Sequence, residues 1–257
     1  MSTNESPEMS FWDHLEVLRG TLFRSALSVM IIALVLFCLK DYFFDSVVLA
    51  PTKASFPTYR LFGIATNIDL VNYELSAQFM VHLRVSLLAA LVLATPYILF
   101  ELWKFIAPAL YEREKRKIRF AFLFAGGLFY AGLVTGYFIL LPFILNFFNG
   151  YVVSDLVKNT ISLTSYMSSF FSSLFSMGVA FELPAVVLVL SELGLIDREF
   201  LKKYRKHALV VILIIAAFIT PADLLSMFIV ALPLYLVYEF SILICKKGEN
   251  SENEAEV

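Results

Sequence analysis

Two carboxylates stand inside apolar runs of a chain in which 60% of the 257 residues are hydrophobic and 16% are charged. Glu182 lies in Phe181-Glu182-Leu183-Pro184, and Asp223 closes Thr220-Pro221-Ala222-Asp223. A charge at bilayer depth is costly and marks a place of function by default. Two such acids can form a proton relay, or can receive a polar group from a partner helix. Each also has a purely structural reading. Glu182 can be hydrogen-bonded within a bundle, and Asp223 can cap a helix by accepting from its first backbone N–H groups. A third acid, Glu114, sits in an aromatic, proline-containing segment, Trp103-Lys104-Phe105-Ile106-Ala107-Pro108-Ala109-Leu110-Tyr111-Glu112-Arg113-Glu114-Lys115-Arg116. An interfacial aromatic belt followed by a basic block explains the bases of this segment but not Glu112 and Glu114.

The elements that must position these acids are membrane helices. A mean hydropathy of +0.79 is far from that of a soluble domain and describes a polytopic membrane protein. Six spans are expected at about 21–39, 74–100, 118–148, 164–190, 208–220 and 224–245, and all but the fifth reach the ~20 residues needed to cross ~30 Å of hydrocarbon. The third, if helical, is about 46 Å long and must tilt or protrude, whereas the fifth covers only about 20 Å. The turn at Pro221-Ala222-Asp223 therefore falls short of the outer surface unless the bilayer thins or Asp223 faces water.

Basic residues fall in blocks: Arg19 and Arg24; Lys104, Arg113, Lys115, Arg116, Lys117 and Arg119; Arg198, Lys202, Lys203, Arg205 and Lys206; Lys246 and Lys247. All lie on one side of the six spans, and by the positive-inside rule both termini are cytoplasmic. Lys40, Lys53, Arg60, Arg84 and Lys158 are left for the other side. With a net charge of −2 and no basic face, nucleic acid is not an expected partner. The first 20 residues carry more acid than base and no A-x-A-like site follows the first apolar run, so that run is expected to remain as a helix. Cys38 and Cys245 are expected at opposite ends of the bilayer and cannot pair.

Residues 10–19 read as a short amphipathic cytoplasmic helix, with Ser10 and Asp13 in capping-box spacing and Phe11, Leu15, Leu18 and Leu22 on one face. An interfacial anchor accounts for that pattern. The apolar content of residues 42–72 predicts a packed cap over the helices. Gly132-Leu133-Val134-Thr135-Gly136 is a GxxxG match that permits close packing within the bundle. Residues 246–257 read as a disordered acidic tail. No hydrolase, zincin, P-loop or dinucleotide motif is present, the three histidines have no ligand-like spacing, and neither an enzyme nor a metal or other cofactor is expected.

Four of these features, taken in order on six spans, resemble the TatC family, the multispanning receptor subunit of the twin-arginine protein translocase. They are His14-Leu15-Glu16-Val17-Leu18-Arg19; Phe105-Ile106-Ala107-Pro108-Ala109-Leu110-Tyr111 with Glu114 and Arg116; Phe181-Glu182-Leu183-Pro184; and Thr220-Pro221-Ala222-Asp223 with Pro233 and Glu239. The resemblance implies an all-α, glove-like concave bundle of six helices with the last two short, in the cell inner membrane. It implies a receptor that binds twin-arginine signal peptides of folded precursors at the cytoplasmic face and recruits single-span partners of the TatA and TatB type, driven by the proton-motive force. It also implies several copies of the chain within a receptor complex. Signal-peptide contacts would come from Glu114, Phe105, Pro108, Leu110, Tyr111, Arg19 and Glu16, and intramembrane contacts from Glu182, Pro221, Asp223 and Glu239.

A planar guanidinium makes paired hydrogen bonds to a carboxylate where an ammonium offers a point charge, so fixed acids can separate Arg-Arg from Lys-Lys. Glu114 matches the family's loop glutamate residue for residue. At the N-terminus the family reads His-Leu-x-Glu-Leu-Arg, whereas this chain has Val17 at the fourth position and Glu16 one place earlier, a turn of about 100° around a helix. The competing reading is a proton-coupled small-molecule carrier using Glu182 and Asp223.

Overall fold

A computed structural model describes residues 11–64, 67–109, 112–154, 156, 160–192, 195–219 and 224–245. The described residues are all-α apart from a two-residue parallel pairing of β1 (Leu70–Val71) with β2 (Ile161–Ser162). Among the described residues, four helical runs are long and apolar enough to cross a membrane: Leu15–Cys38, Ala77–Ile106, Phe122–Gly150 and Leu163–Ser191.

The helices form two compact units, residues 1–40 with 82–119 and residues 41–81 with 120–257. The first unit holds α1 (Phe11–Cys38), most of α4 (Ala77–Ile106), a 3₁₀ turn at Ala107–Ala109 and the first residues of α5 (Glu112–Thr135). α1 is uninterrupted, so the amphipathic residues 11–19 are the opening turns of the first membrane helix and no break marks residue 20. His82 stacks on Phe37 at 4.0 Å between ring centroids.

In the second unit, α5 continues through a π turn at Gly136–Leu140 into α6 (Leu141–Gly150). This run packs on α7 (Leu163–Ala180) at its glycines. A Cβ at Gly132 would fall on the Met177 carbonyl oxygen and 2.8 Å from the Gly178 Cα, and one at Gly136 would lie 2.7 Å from the Ser173 oxygen. The GxxxG match is thus an internal helix seam. A turn at Phe181–Glu182 separates α7 from α8 (Leu183–Glu192), and Pro184 sits in the first turn of α8, where a missing N–H costs nothing. After the short α9 (Arg198–Lys203) come α10 (Arg205–Ile219) and α11 (Leu224–Ile244). At 15 residues α10 spans about 22 Å. Leu140, Ile144, Met177, Ala216, Val230 and Leu234 form the core where these helices meet.

The segment between α1 and α4 is a packed cap, as its composition predicts. It contains α2 (Lys40–Phe43), a π turn, and α3 (Pro57–Phe62), which ends at Gly63 with φ 65°. Its backbone carbonyls are satisfied by tyrosines: Tyr59 donates to Pro51 at 2.8 Å, Tyr137 to Val47 at 2.7 Å and Tyr166 to Val48 at 2.5 Å. Thr58 donates to the Phe138 carbonyl, and burial pushes the Tyr59 phenol up from its ordinary pKa. Cys38 is exposed, Cys245 is buried with its thiol 3.2 Å from Ser191 Oγ, and both are free.

Candidate functional site

The loop that follows α4 is set by its own sequence. Pro108 ends the helix because it lacks an N–H and fixes φ, and the 3₁₀ turn at Ala107–Ala109 redirects the chain toward α5. Phe105 is half-buried and Pro108 exposed. Trp103, Lys104, Ala107, Pro108, Lys115 and Arg119 line an open cavity of 630 Å³. Glu114 belongs to the first turn of α5, but its side chain is outside the described residues, as are Leu110 and Tyr111. Glu16 and Arg19 are both exposed on α1.

One turn before this loop lies Glu101, a carboxylate that sequence reasoning missed. It is only 2% exposed and is held by two cations. Arg24 reaches it from α1 at 2.7 Å, and Lys104 lies 3.7 Å away. Lys104 also covers the Phe100 ring at 4.4 Å. The sequence did carry a signal for this site: an acid in an apolar run with Lys at i+3 is a helix-surface ion pair. Ending the span at residue 100 put Glu101 outside it.

In the second unit, Glu182 is half-buried at the turn between α7 and α8. Its backbone is used on both sides, its N–H donating to Val179 at 3.1 Å and its carbonyl accepting from Val186 at 3.0 Å. Among the described residues its carboxylate has no ion-pair or hydrogen-bond partner. Glu239 is the opposite case. Arg205 binds one of its oxygens at 2.7 Å, and Tyr235 donates to the other at 2.9 Å. Tyr238 of the same helix ties α11 to the Leu201 carbonyl at 2.7 Å. Glu239 therefore serves first as the anchor of α11 to the start of α10. Pro221 and Asp223 lie outside the described residues. Among the described residues, no group of three or more His, Cys, Asp and Glu side chains could hold a metal ion.

What the arrangement offers is polar: a loop carrying acids among bases next to an ion-pair cluster, and in the other unit a half-buried acid at the break between α7 and α8 with no described partner. It provides no nucleophile beside a base, and so no catalytic constellation among the described residues.

The family model for Sec-independent protein translocase protein (TatC) matches residues 13–233. A TatC protein of Blattabacterium sp. subsp. Periplaneta americana is 36% identical over 256 residues, covering 94% of this chain and 96% of that one. One from Campylobacter jejuni is 32% identical over 243 residues, covering 95% and 96%. The crystal structure of a twin-arginine translocase receptor, TatC, superimposes with a TM-score of 0.71 at 32% identity, covering 91% of this chain and 99% of the other. The chain belongs to the TatC family and is a membrane-embedded subunit of the Sec-independent, twin-arginine protein translocase.

Proposed function

We propose that this subunit is the receptor for twin-arginine signal peptides. The observation that carries the reading is the turn between α4 and α5, which holds Phe105 and Pro108 on a rigid helix end and starts α5 two residues before Glu114. Bidentate pairing with a guanidinium needs a carboxylate held in defined geometry, the role assigned here to Glu114. Phe105, Pro108, Leu110 and Tyr111 supply apolar surface beside it, and Arg19 and Glu16 on α1 supply further charge.

In this reading the six helices form a concave, glove-like bundle in the inner membrane, with both termini and the α4–α5 loop on the cytoplasmic side. Glu182, Pro221, Asp223 and Glu239 then belong to the surface that meets the apolar part of the signal peptide and TatA-type or TatB-type single-span proteins. Several copies assemble in the receptor complex, and the proton-motive force drives export. The lack of a partner for the Glu182 carboxylate among the described residues supports a contact with a partner helix, since an unpaired acid at membrane depth is retained at a cost.

Binding of the purified chain in nanodiscs to an Arg-Arg signal peptide, and to the same peptide with Lys-Lys, tests the proposal. Tight binding of the first and much weaker binding of the second is the expected result. Equal binding, or none, overturns it.

A further inference from the structure

The end of α11 is fixed against α9. Cys245 is buried with Leu201 and Ile242, and Ile196 and Tyr238 pack on the same cluster. Its thiol lies 3.2 Å from Ser191 Oγ, and Tyr238 donates to the Leu201 carbonyl at 2.7 Å. Residues 246–257 therefore leave α11 from a point held beside α9.

The face next to that point is basic. Lys202, Lys203, Arg205 and Lys206 span the end of α9 and the start of α10, and all four are exposed. Arg205 is taken up by Glu239 at 2.7 Å. Among the described residues Lys202 and Lys206 have no ion-pair partner, and Lys203 meets only the Tyr204 ring, at 6.0 Å. The acids nearby do not cancel these lysines. Asp197 caps α9 by accepting from the Phe200 N–H at 2.6 Å, and Glu199, exposed on α9, offsets one charge while the half-buried Arg198 adds another. The Glu192 side chain lies outside the described residues. Arg205 and Lys206 also open α10 at the positive end of its dipole, with no acid in that first turn, where cations are disfavoured. Such a face calls for an anion.

The chain carries one within reach. Residues 246–257, which lie outside the described residues, hold Glu249, Glu252, Glu254 and Glu256. At ~3.3 Å per extended residue, Glu249 reaches about 13 Å from Cys245 and Glu256 about 36 Å. α9 is only about 9 Å long, so the whole face is accessible to these acids. A tether this short gives an effective concentration on the order of millimolar.

We propose that the acidic segment 249–256 docks on the basic face formed by Lys202, Lys203 and Lys206. A single exposed ion pair contributes little, and the contact comes from several acids sharing several cations. The segment is polar or charged apart from Ala255, so the contact is ionic rather than packed and weakens with salt. Docked, it neutralises the face and closes it to other anions, phosphate headgroups included. It does not depend on signal-peptide recognition.

The test uses the full chain, one copy per nanodisc of phosphatidylcholine, treated with a carbodiimide that joins lysine amines to adjacent carboxylates. Peptide mapping is expected to find Lys202, Lys203 or Lys206 joined to Glu249, Glu252, Glu254 or Glu256, with the yield falling about fivefold in about 1 M salt. Coupling of Lys202 or Lys203 to Glu199, one turn away on α9, is the internal standard. Standard coupling without any to the four tail glutamates overturns the proposal, and so does tail coupling that salt leaves unchanged. A second readout needs no coupling: amine acetylation of the three lysines is expected to speed up about fivefold when all four glutamates are changed to Gln. Equal acetylation of the two chains overturns the proposal. Nanodiscs containing phosphatidylglycerol separate the tail from the membrane surface. Protection that needs this lipid, and is the same with and without the four glutamates, assigns the face to lipid headgroups and overturns the tail assignment.

Discussion

Arg24 directs both Nε and Nη2 to one oxygen of Glu101, each at 2.7 Å, across 77 positions of sequence. The Glu101 side chain is almost wholly covered while the Arg24 side chain is about half exposed, so the guanidinium shields a carboxylate that has little access to water. Its second oxygen faces Lys104. The pair joins α1 to the helix end that carries the α4–α5 turn.

Removing one partner of that pair is expected to cost more than removing both. Arg24→Gln leaves a covered carboxylate with only the more distant Lys104, while Arg24→Gln with Glu101→Gln leaves no charge to compensate. Thermal unfolding in detergent should show a lower Tm for Arg24→Gln, with the double variant losing less than the two single changes combined. Strict additivity of the three Tm shifts would show that the contact carries no coupling.

The glycine seam gives a sharper contrast. Gly132→Ala places a methyl group on the Met177–Gly178 backbone, which cannot move aside as a side-chain tip can, and a loss of about 1–3 kcal/mol is expected. Gly127→Ala, on the same helix with nothing within 4 Å of the new methyl, should be neutral or stabilising by about 0.5–1 kcal/mol. Chemical denaturation of the two variants side by side decides whether α5 and α7 are held at backbone contact.

The cap should respond to a single hydroxyl. Tyr166→Phe keeps the buried ring but leaves the Val48 carbonyl without its donor, a loss of about 1–3 kcal/mol. Tyr73→Phe removes an exposed hydroxyl that meets Thr160 at 2.8 Å and should change stability little, because water replaces the contact. Proteolysis within residues 42–72 measures the difference directly.

Much of this was legible in the sequence, for physical reasons that differ by element. Long apolar runs announce membrane helices because every backbone polar group must be satisfied inside the segment, which is why α1, α4, the α5–α6 run and α7–α8 were expected near their observed positions. Gly132 and Gly136 announced a close approach, but not which helix would fill it. The Arg24–Glu101 pair was hidden because its partners are far apart in sequence, and neither residue looks unusual alone. The continuity of α1 through Gly20 was missed because polar residues near a span suggest a boundary, whereas helix geometry continues wherever the backbone bonds do. The tyrosine donors of the cap depend on where its carbonyls fall, which no local pattern encodes.

Glu114→Ala is expected to weaken binding of an Arg-Arg signal peptide by about 1.5–3 kcal/mol, the range for a hydrogen bond to a charged group, with little effect on a Lys-Lys peptide that is already bound weakly. Isothermal titration or fluorescence anisotropy on the reconstituted chain reads this. Unchanged affinity with an intact fold would remove Glu114 from the recognition site.

Glu182 separates stability from function most cleanly. Its backbone is fully used at the α7–α8 turn, while its carboxylate has no described partner, so the charge contributes nothing visible to holding that break in the span together. Glu182→Gln keeps the shape and removes the charge, and the variant is expected to melt at the same or a higher temperature than the unaltered chain. If the acid meets a partner helix or the signal peptide, the same variant should lose export and crosslinking at that turn while staying at normal levels in the membrane. A variant that melts lower and exports normally would mean that Glu182 is bonded within the bundle and belongs to the fold. Higher stability joined to lost export is the combination that a purely structural acid cannot produce.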